Sequence, residues 1–181
     1  PILAYGLLIF YEKVFRVATD LVFLELSDFN NPLLRDLSSK APGTFHHSII
    51  MGNLSEQAAK EIGANQILAR VGCYYHDIGK MEMPMYFIEN QASGMNPHDE
   101  MNFDESAALI ISHVIKGIEI AKKNNVPEQI IDFIRTHHGT TIAAYFYQSY
   151  KQAFPHEPID EARFHYPGPI PFSKETAVLM M

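Results

Sequence analysis

The sequence has little cysteine, no excess of basic residues and no long hydrophobic run, and each shortage excludes a class of protein. One cysteine, Cys73, stands in 181 residues, so no internal disulfide can form and a reducing, cytosolic setting is expected. Lys and Arg number 14 against 21 Asp and Glu, for a net charge of −7. This acidic balance, without a basic stripe, argues against nucleic acid as a partner. It is compatible with a small anionic ligand if cations are concentrated at one site.

The apolar run "PILAYGLLIFY" at residues 1–11 is too short to cross a membrane, because a spanning helix needs about 20 apolar residues. It lacks the basic start and cleavage site of a signal peptide. Two interpretations stay open: a buried element of the domain, or the end of a membrane span that lies mostly upstream. The whole chain, with 47% hydrophobic and 19% charged residues, suits one globular domain with a sizeable core.

Helical periodicity is strong and strand signals are weak, which predicts an all-α domain. The predicted N-caps are Thr44, Asn65, Asp104 and Ser173, and Gly63 is predicted to end a helix. Predicted helices cover residues 10–29, 33–38, 44–62, 65–79, 104–123, 127–138, 142–154 and the segment from 174 onward. Residues 81–102 are predicted to form a long irregular loop, and such a loop in a compact domain is often functional.

Five of the nine histidines lie on the predicted buried faces of four helices. His47, for example, precedes Ile50, Met51 and Leu54 by three, four and seven residues, so it opens the predicted apolar stripe of its helix. Spacings of three, four or seven residues likewise separate apolar residues of the same predicted helix from His76, His113, His137 and His138. A single histidine in such a place is usually a hydrogen-bonded core residue. Four helices that direct imidazole groups into one core predict a metal centre.

The carboxylate of Asp77, adjacent to His76, extends this prediction to two metals. Five histidines and an aspartate exceed the ligand set of one tetrahedral site. Neighbours on a helix point about 100° apart, so the two side chains can hold one metal while the second carboxylate oxygen reaches another. Two metals roughly 3.5–4 Å apart can clamp a phosphodiester and lower the pKa of a bridging water.

The histidines and aspartate, in this order, resemble the HD-domain metal-dependent phosphohydrolases. More narrowly, several segments are similar to the cytosolic domain of the seven-transmembrane HD proteins, which are bacterial cyclic-di-AMP phosphodiesterases. These segments are "LLRDLSSKAPGTFHHS", "YYHDIGK", "FIENQ", "NPHDE", "HHGTT" and "YPGP". The resemblance extends from about residue 12 to residue 181, nearly the whole chain.

This resemblance implies an HD-domain helical bundle with a di-metal site in its core. It implies two divalent transition-metal ions, iron or manganese, and hydrolysis of cyclic-di-AMP to the linear dinucleotide pApA. Carried over residue by residue, the implied ligands are His47, His76, Asp77, His113, His137 and His138. His47 rather than His46 matches because Ser48 follows it. A further aspartate ligand is expected soon after "KETAVLMM", beyond Met181.

The resemblance also implies a division of the chain and a location in the cell. Residues 1–40 would form a juxtamembrane helical segment, and residues 41–181 the HD domain with a truncated last helix. Membrane helices upstream would hold the domain on the cytoplasmic side of the cell membrane. This context favours the membrane-span interpretation of residues 1–11.

Four residues are assigned roles in the reaction. Asp77 is predicted to bridge the metals and position the nucleophile. Lys80, four residues after His76, is predicted to neutralise a phosphate oxygen or assist the leaving group, the alternative being a helix-end lysine that faces the dipole. His98 is predicted either to contact substrate or to cap its loop. Tyr166 either stacks on adenine or packs within its connector.

Other functions stay open at the level of the sequence. Cyclic-di-GMP ranks second, because the related HD-GYP proteins carry a glutamate after the paired histidines and a later Gly-Tyr-Pro, whereas this chain has "HHGTTIAAYFY". A nucleotidase or triphosphohydrolase of the HD superfamily would act on mononucleotides. A non-catalytic HD domain would bind a nucleotide and signal without turnover.

Overall fold

Eight α-helices make up most of the chain that the computed structural model describes, residues 18–91 and 96–180. They are α1 (Asp20–Leu26), α2 (Pro32–Lys40), α3 (Pro42–Glu61), α4 (Gln66–Tyr75), α5 (Phe103–Lys123), α6 (Glu128–Thr136), α7 (Ala144–Ala153) and α8 (Lys174–Met180). These residues contain no β-strand, only an isolated bridge between Ile142 and His165. The all-α prediction is confirmed; the predicted helical residues 10–17 lie outside the described range.

Several predicted helix ends are found in the structure. Asn65 caps α4, because its side-chain oxygen accepts a hydrogen bond of 2.9 Å from Leu68 N. Ser173 caps α8 in the same way, since its hydroxyl accepts from Thr176 N at 3.1 Å. Gly63, with φ of 65°, follows the end of α3.

Two predicted N-caps are wrong, Thr44 by three residues and Asp104 by two. Helix α3 begins at Pro42 rather than after Thr44, because the fixed φ of proline and its missing N–H suit the first turn of a helix. Thr44 therefore lies inside the helix, and its hydroxyl bonds to Glu89. Asp104 likewise lies in the first turn of α5, where its carboxylate accepts a hydrogen bond from Arg163.

The predicted buried stripe of α3 is wrong in part. Met51 packs against the core, but His47, which was expected on the buried face, is exposed. Ile50 is 45% and Leu54 57% exposed. The face turned inward consists of small or hydroxyl-bearing residues: Thr44, Ser48, Gly52, Ser55 and Ala59. At Gly52 a Cβ would lie 2.5 Å from a ring carbon of Tyr74, so α3 packs on α4 too closely for large side chains. Hydrophobic periodicity alone could not identify this face.

Helix α4 lies at the centre of the fold and packs against α1, α3, α6 and α8. The predicted burial of Ile130, Ile131 and Ile134 on α6 is confirmed. Their cluster continues across the predicted division at residue 40, because it includes side chains of α1 and α2: Phe23, Leu33, Leu34 and Leu37. The described part of residues 1–40 thus packs on the same core as the HD region. No helix among the described residues has the length and apolarity to cross a membrane.

A chain of short 3₁₀ turns replaces regular helix between α4 and α5. The turns span Ile78–Glu82, Pro84–Tyr86, Ile88–Asn90 and Pro97–Glu100, and they correspond to the predicted irregular loop. Phe87 and Met81 anchor this segment in the core. The predicted end of α4 near Gly79 is wrong, since the α-helix stops at Tyr75.

Candidate metal centre

His76 and Asp77 lie where the α-helical conformation ends. Asp77 has φ of −112° and ψ of 17°, outside the helical range, and a 3₁₀ turn follows. This part of the chain presses on α5: a Cβ at Gly79 would lie 1.9 Å from the carbonyl oxygen of His113. Only glycine permits this approach, which brings the Asp77 carboxylate to the middle of α5.

The other predicted ligands surround this point. His113 lies in the middle of α5, and His137 and His138 follow the last residue of α6 directly. The ring centroid of His113 is 5.2 Å from the ring centroid of His137 and 5.2 Å from that of His138. His76 lies 5.0 Å from His137, and His47 of α3 lies 5.6 Å from His76. The structure therefore brings all six predicted ligands together.

These side chains form two groups of three. His113, His137 and His138, here the enclosed triad, offer ligand atoms that all lie within 4.8 Å of one another. His47, His76 and Asp77, here the open triad, meet the same condition. Asp77 connects the two: its Oδ2 is 3.1 Å from His76 Nε2, and its Oδ1 is 3.1 Å from His113 Nε2 and 3.4 Å from His137 Nε2.

The hydrogen bonds at the far side of the rings determine which nitrogens face this centre. Nδ1 of His76, His113 and His137 lies 2.7, 2.6 and 2.9 Å from a backbone carbonyl three residues earlier. Because a carbonyl only accepts, each Nδ1 carries the hydrogen and each Nε2 of the neutral ring presents a lone pair. Partners of this kind orient the histidine ligands of metals.

The convergent lone pairs fit a cation. Nε2 of His113 and Nε2 of His137 are only 3.1 Å apart. Oδ1 of Asp77 is buried beside them, and no donor among the described residues makes a well-aligned hydrogen bond to it. Acceptors so arranged repel one another unless a positive charge lies between them. The donor set, imidazole nitrogens and a carboxylate, suits a divalent transition metal.

The electrostatics keep these groups in their ligand forms. Burial lowers the pKa of His137 to about 4, and burial together with the nearby His137 lowers that of His138 to about 2. Partial burial of its ring also lowers the pKa of His47, with a smaller contribution from His76. For Asp77, burial acts to raise the pKa, but His76 and Lys80 outweigh it and hold it well below the usual range. At neutral pH the imidazoles of His47, His137 and His138 are therefore neutral and the Asp77 carboxylate is ionised.

Lys80 places a cation at the edge of the open triad. Its Nζ lies 2.8 Å from Asp77 Oδ2 and 2.8 Å from Glu89 Oε1, and it sits over the Phe87 ring at 4.9 Å. Burial acts to lower the pKa of Lys80, but the two carboxylates raise it. The predicted proximity of Lys80 to the site is found; its role in the reaction stays a prediction.

His98 and Tyr166 have other described contacts. His98 Nε2 lies 2.9 Å from the carbonyl oxygen of Tyr86, and its ring packs on Phe146 of α7 at 5.0 Å. Tyr166 stacks on His138, with ring centroids 4.0 Å apart and planes 20° apart, and is 8% exposed. One face of its ring is thus covered, so adenine could use only the other. Both substrate-contact roles stay predictions.

Sequence reasoning missed the residues that surround Lys80. Glu89 and Phe87 lie in "FIENQ", a segment similar to the family whose spacing predicts no contact with Lys80. Thr44, predicted as a helix cap, instead bonds to Glu89. The predicted aspartate beyond Met181 lies outside the chain. Helix α8 does lead towards the paired histidines, because the Met180 side chain lies against Gly139.

The fold and this centre agree with a family match. A family model described as "HD domain" matches residues 44–166, and the chain belongs to that family. Across 98% of its length the chain is 46% identical to "Cyclic-di-AMP phosphodiesterase PgpH" of Listeria monocytogenes and 44% identical to the Bacillus subtilis protein of that name. It spans 24% and 25% of those two proteins, about a quarter of their length.

A solved structure extends the likeness to three dimensions. The HD domain of the L. monocytogenes phosphodiesterase PgpH, in complex with cyclic-di-AMP, aligns with a TM-score of 0.80 at 48% identity. The match covers 85% of this chain and 71% of that one. The predicted resemblance to the cyclic-di-AMP phosphodiesterases is therefore confirmed.

Proposed function

We propose that this chain is the catalytic domain of a metal-dependent phosphodiesterase that hydrolyses cyclic-di-AMP to pApA. The observation that carries the proposal is the pair of triads joined by Asp77, with the Lys80 ammonium 2.8 Å from the shared carboxylate. The similarity to proteins named cyclic-di-AMP phosphodiesterases selects this substrate among the nucleotides that such a site could accept.

The two triads, Asp77 and Lys80 have separate roles in the proposed reaction. The enclosed triad and the open triad would each hold one ion, with Asp77 shared, and we infer iron or manganese from the imidazole and carboxylate donors. Two such ions would supply Lewis acidity toward the phosphodiester and would lower the pKa of a bound water. Asp77, ionised and buried, fixes the position of both triads relative to each other. Lys80 offers a positive charge beside them for the phosphate oxygens.

We also propose that the domain works on the cytoplasmic side of the cell membrane, attached through membrane helices upstream of it. The apolar run at residues 1–11 and the family resemblance support this placement. Cell fractionation of the complete protein tests it: recovery in the membrane fraction is expected, and recovery in the soluble fraction would contradict it.

A turnover assay tests the activity. Protein stripped of metal and then loaded with Mn²⁺ or Fe²⁺ is given cyclic-di-AMP, cyclic-di-GMP, pApA or a nucleoside mono- or triphosphate, and products are separated by chromatography. A version extended to include the predicted aspartate is assayed in parallel. We expect metal-dependent conversion of cyclic-di-AMP to pApA. Preference for cyclic-di-GMP, turnover of mononucleotides only, or binding without turnover would each replace the proposal by the corresponding alternative.

A further inference from the structure

The Lys80 ammonium is held between two carboxylates. Asp77 Oδ2 and Glu89 Oε1 each lie 2.8 Å from its Nζ, and the Phe87 ring lies beneath it. An ammonium group has three N–H donors. Two of them are used by these carboxylates, and the described residues offer no further hydrogen-bond partner for the third. The side chain is 14% exposed, so the third donor has access to a ligand.

Glu89 is itself fixed by a small network. The Thr44 hydroxyl donates to Glu89 Oε1 at 3.0 Å, and the Asn90 amide donates to the Thr44 oxygen at 2.8 Å. In return Thr44 N donates to Asn90 Oδ1 at 3.1 Å. These bonds tie the Ile88–Asn90 turn to the first turn of α3, the helix that carries His47.

The backbone at this junction has no room for a side chain. A Cβ at Gly43 would lie 1.8 Å from the carbonyl oxygen of Glu89. The "APGTFHH" segment therefore lets the turn approach α3 closely enough for the Thr44 and Asn90 bonds to form. The network links the loop between α4 and α5 to both Lys80 and the open triad.

We propose that Glu89 is a positioning residue for the reaction, and that it orients the Lys80 ammonium so that its third N–H faces the substrate phosphate. The proposal rests on the phosphodiesterase function above. A free lysine side chain samples many rotamers, and ordering it costs conformational entropy. A donor that is held in place before substrate binds stabilises developing charge better than one that must first be ordered. Without Glu89, Asp77 would be the only described carboxylate partner of the ammonium.

A double-mutant cycle between Glu89→Gln and Lys80→Met tests this role. The glutamine keeps the size of the side chain and an oxygen for Thr44 but removes the charge that holds Lys80. We expect Glu89→Gln to lower kcat by about 10–100-fold, by analogy with the partners that orient metal ligands through hydrogen bonds. Lys80→Met should lower kcat at least as far, and the double variant should be no slower than Lys80→Met alone. Metal content should match the wild type in all three.

Control variants separate positioning from folding. Glu82→Gln removes an exposed carboxylate from the same loop and should leave kcat unchanged, whereas Glu89→Asp keeps the charge and should recover part of the loss. Losses that multiply in the double variant would show that Glu89 acts independently of Lys80. A kcat for Glu89→Gln equal to wild type, or a loss that follows metal content, would overturn the proposal.

A measurement without substrate keeps this test apart from the proposed activity. The protein is labelled with ¹⁵N-lysine and stripped of metal, because iron or manganese would broaden signals from nearby groups. An ammonium held by two carboxylates then exchanges its hydrogens slowly and gives an observable NMR signal. We expect a Lys80 signal that is missing in Lys80→Met, broadened beyond detection in Glu89→Gln and retained in Glu82→Gln. A signal unchanged by Glu89→Gln would contradict the inference even if the enzyme acts on cyclic-di-AMP. If the wild type has no phosphodiesterase activity, the proposed function fails, and this signal still decides whether Glu89 holds Lys80.

Discussion

The enclosed and open triads carry the same kinds of ligand in different surroundings. In the enclosed triad, His113 is 2% and His137 9% exposed, and Tyr166 covers His138. In the open triad, His76 and Asp77 are each 3% exposed, but His47 is an exposed residue of α3. We therefore expect a dinucleotide to approach from the His47 side, where Lys80 also lies.

The difference follows from how each triad is built. The enclosed triad comes from α5 and the end of α6, and the 3₁₀ turn at Gly79 packs against α5 without a side chain between them. The open triad requires α3 to lie on α4, and that contact is made by small residues such as Gly52 and Ser55. The enclosed triad is held by elements that all pack in the core, whereas the position of His47 in the open triad depends on how α3 packs against its neighbours.

The largest effect should come from removing the residue that the triads share. Asp77→Ala takes a ligand from both ions, so we expect turnover to fall below detection and metal content to fall further than in any single histidine variant. Metal analysis and a turnover assay measure this. Asp99→Ala, which removes an exposed carboxylate in the loop, should change neither. Near-normal metal content in Asp77→Ala would contradict a shared di-metal site.

Loss of a ligand from one triad or the other should change by different amounts how far bound metal raises the Tm. Bound metal at 100–1,000 times its Kd stabilises the folded state by about 2.7–4.1 kcal/mol, so a chelator should lower the wild-type Tm. His113→Ala should remove most of that chelator-dependent drop, because it breaks the enclosed triad. His47→Ala should retain a substantial part of it. Thermal denaturation with and without chelator checks this, and equal drops in both variants would contradict the expected difference between the triads.

A smaller effect should separate the true buried face of α3 from the predicted one. Gly52→Ala places a Cβ where the Tyr74 ring lies, and overpacking of this kind costs about 1–3 kcal/mol of unfolding free energy. Leu54→Ala, on the exposed face, should stay within about 0.5 kcal/mol. Urea denaturation of the two variants compares them directly. A greater loss in Leu54→Ala would mean that this face is covered in solution.

The smallest effect should come from the ring that covers the enclosed triad. Tyr166→Leu removes the aromatic surface stacked on His138, and we expect metal affinity to fall by about 10-fold. Tyr166→Phe should keep it, since the contact is made by the ring. Titration with Mn²⁺ measures both, and Tyr145→Leu, at a position 73% exposed, is the control. Equal affinity in the leucine variant would leave Tyr166 without a role at the metal centre.

The sequence by itself determined the helical class and, through the family resemblance, the six residues that the structure brings together at one centre. Imidazole and carboxylate groups are costly to bury without partners. Histidines on the apolar faces of four predicted helices, one of them next to an aspartate, therefore predict a common site without knowledge of the structure. The caps at Asn65 and Ser173 were also readable, because the side chain and the backbone N–H it binds lie within three residues.

Only the tertiary structure decided which face of α3 is buried and which residues surround Lys80. Close packing of two helices requires small side chains at the contact, such as Gly52 and Ser55. These residues add little to a hydrophobic periodicity, so the pattern predicts burial of Ile50 and Leu54 instead. Glu89 reaches Thr44 across 45 residues of sequence, a separation at which spacing carries no information about contact. The break after Tyr75 likewise arises because Gly79 packs against α5, a contact that no local pattern specifies.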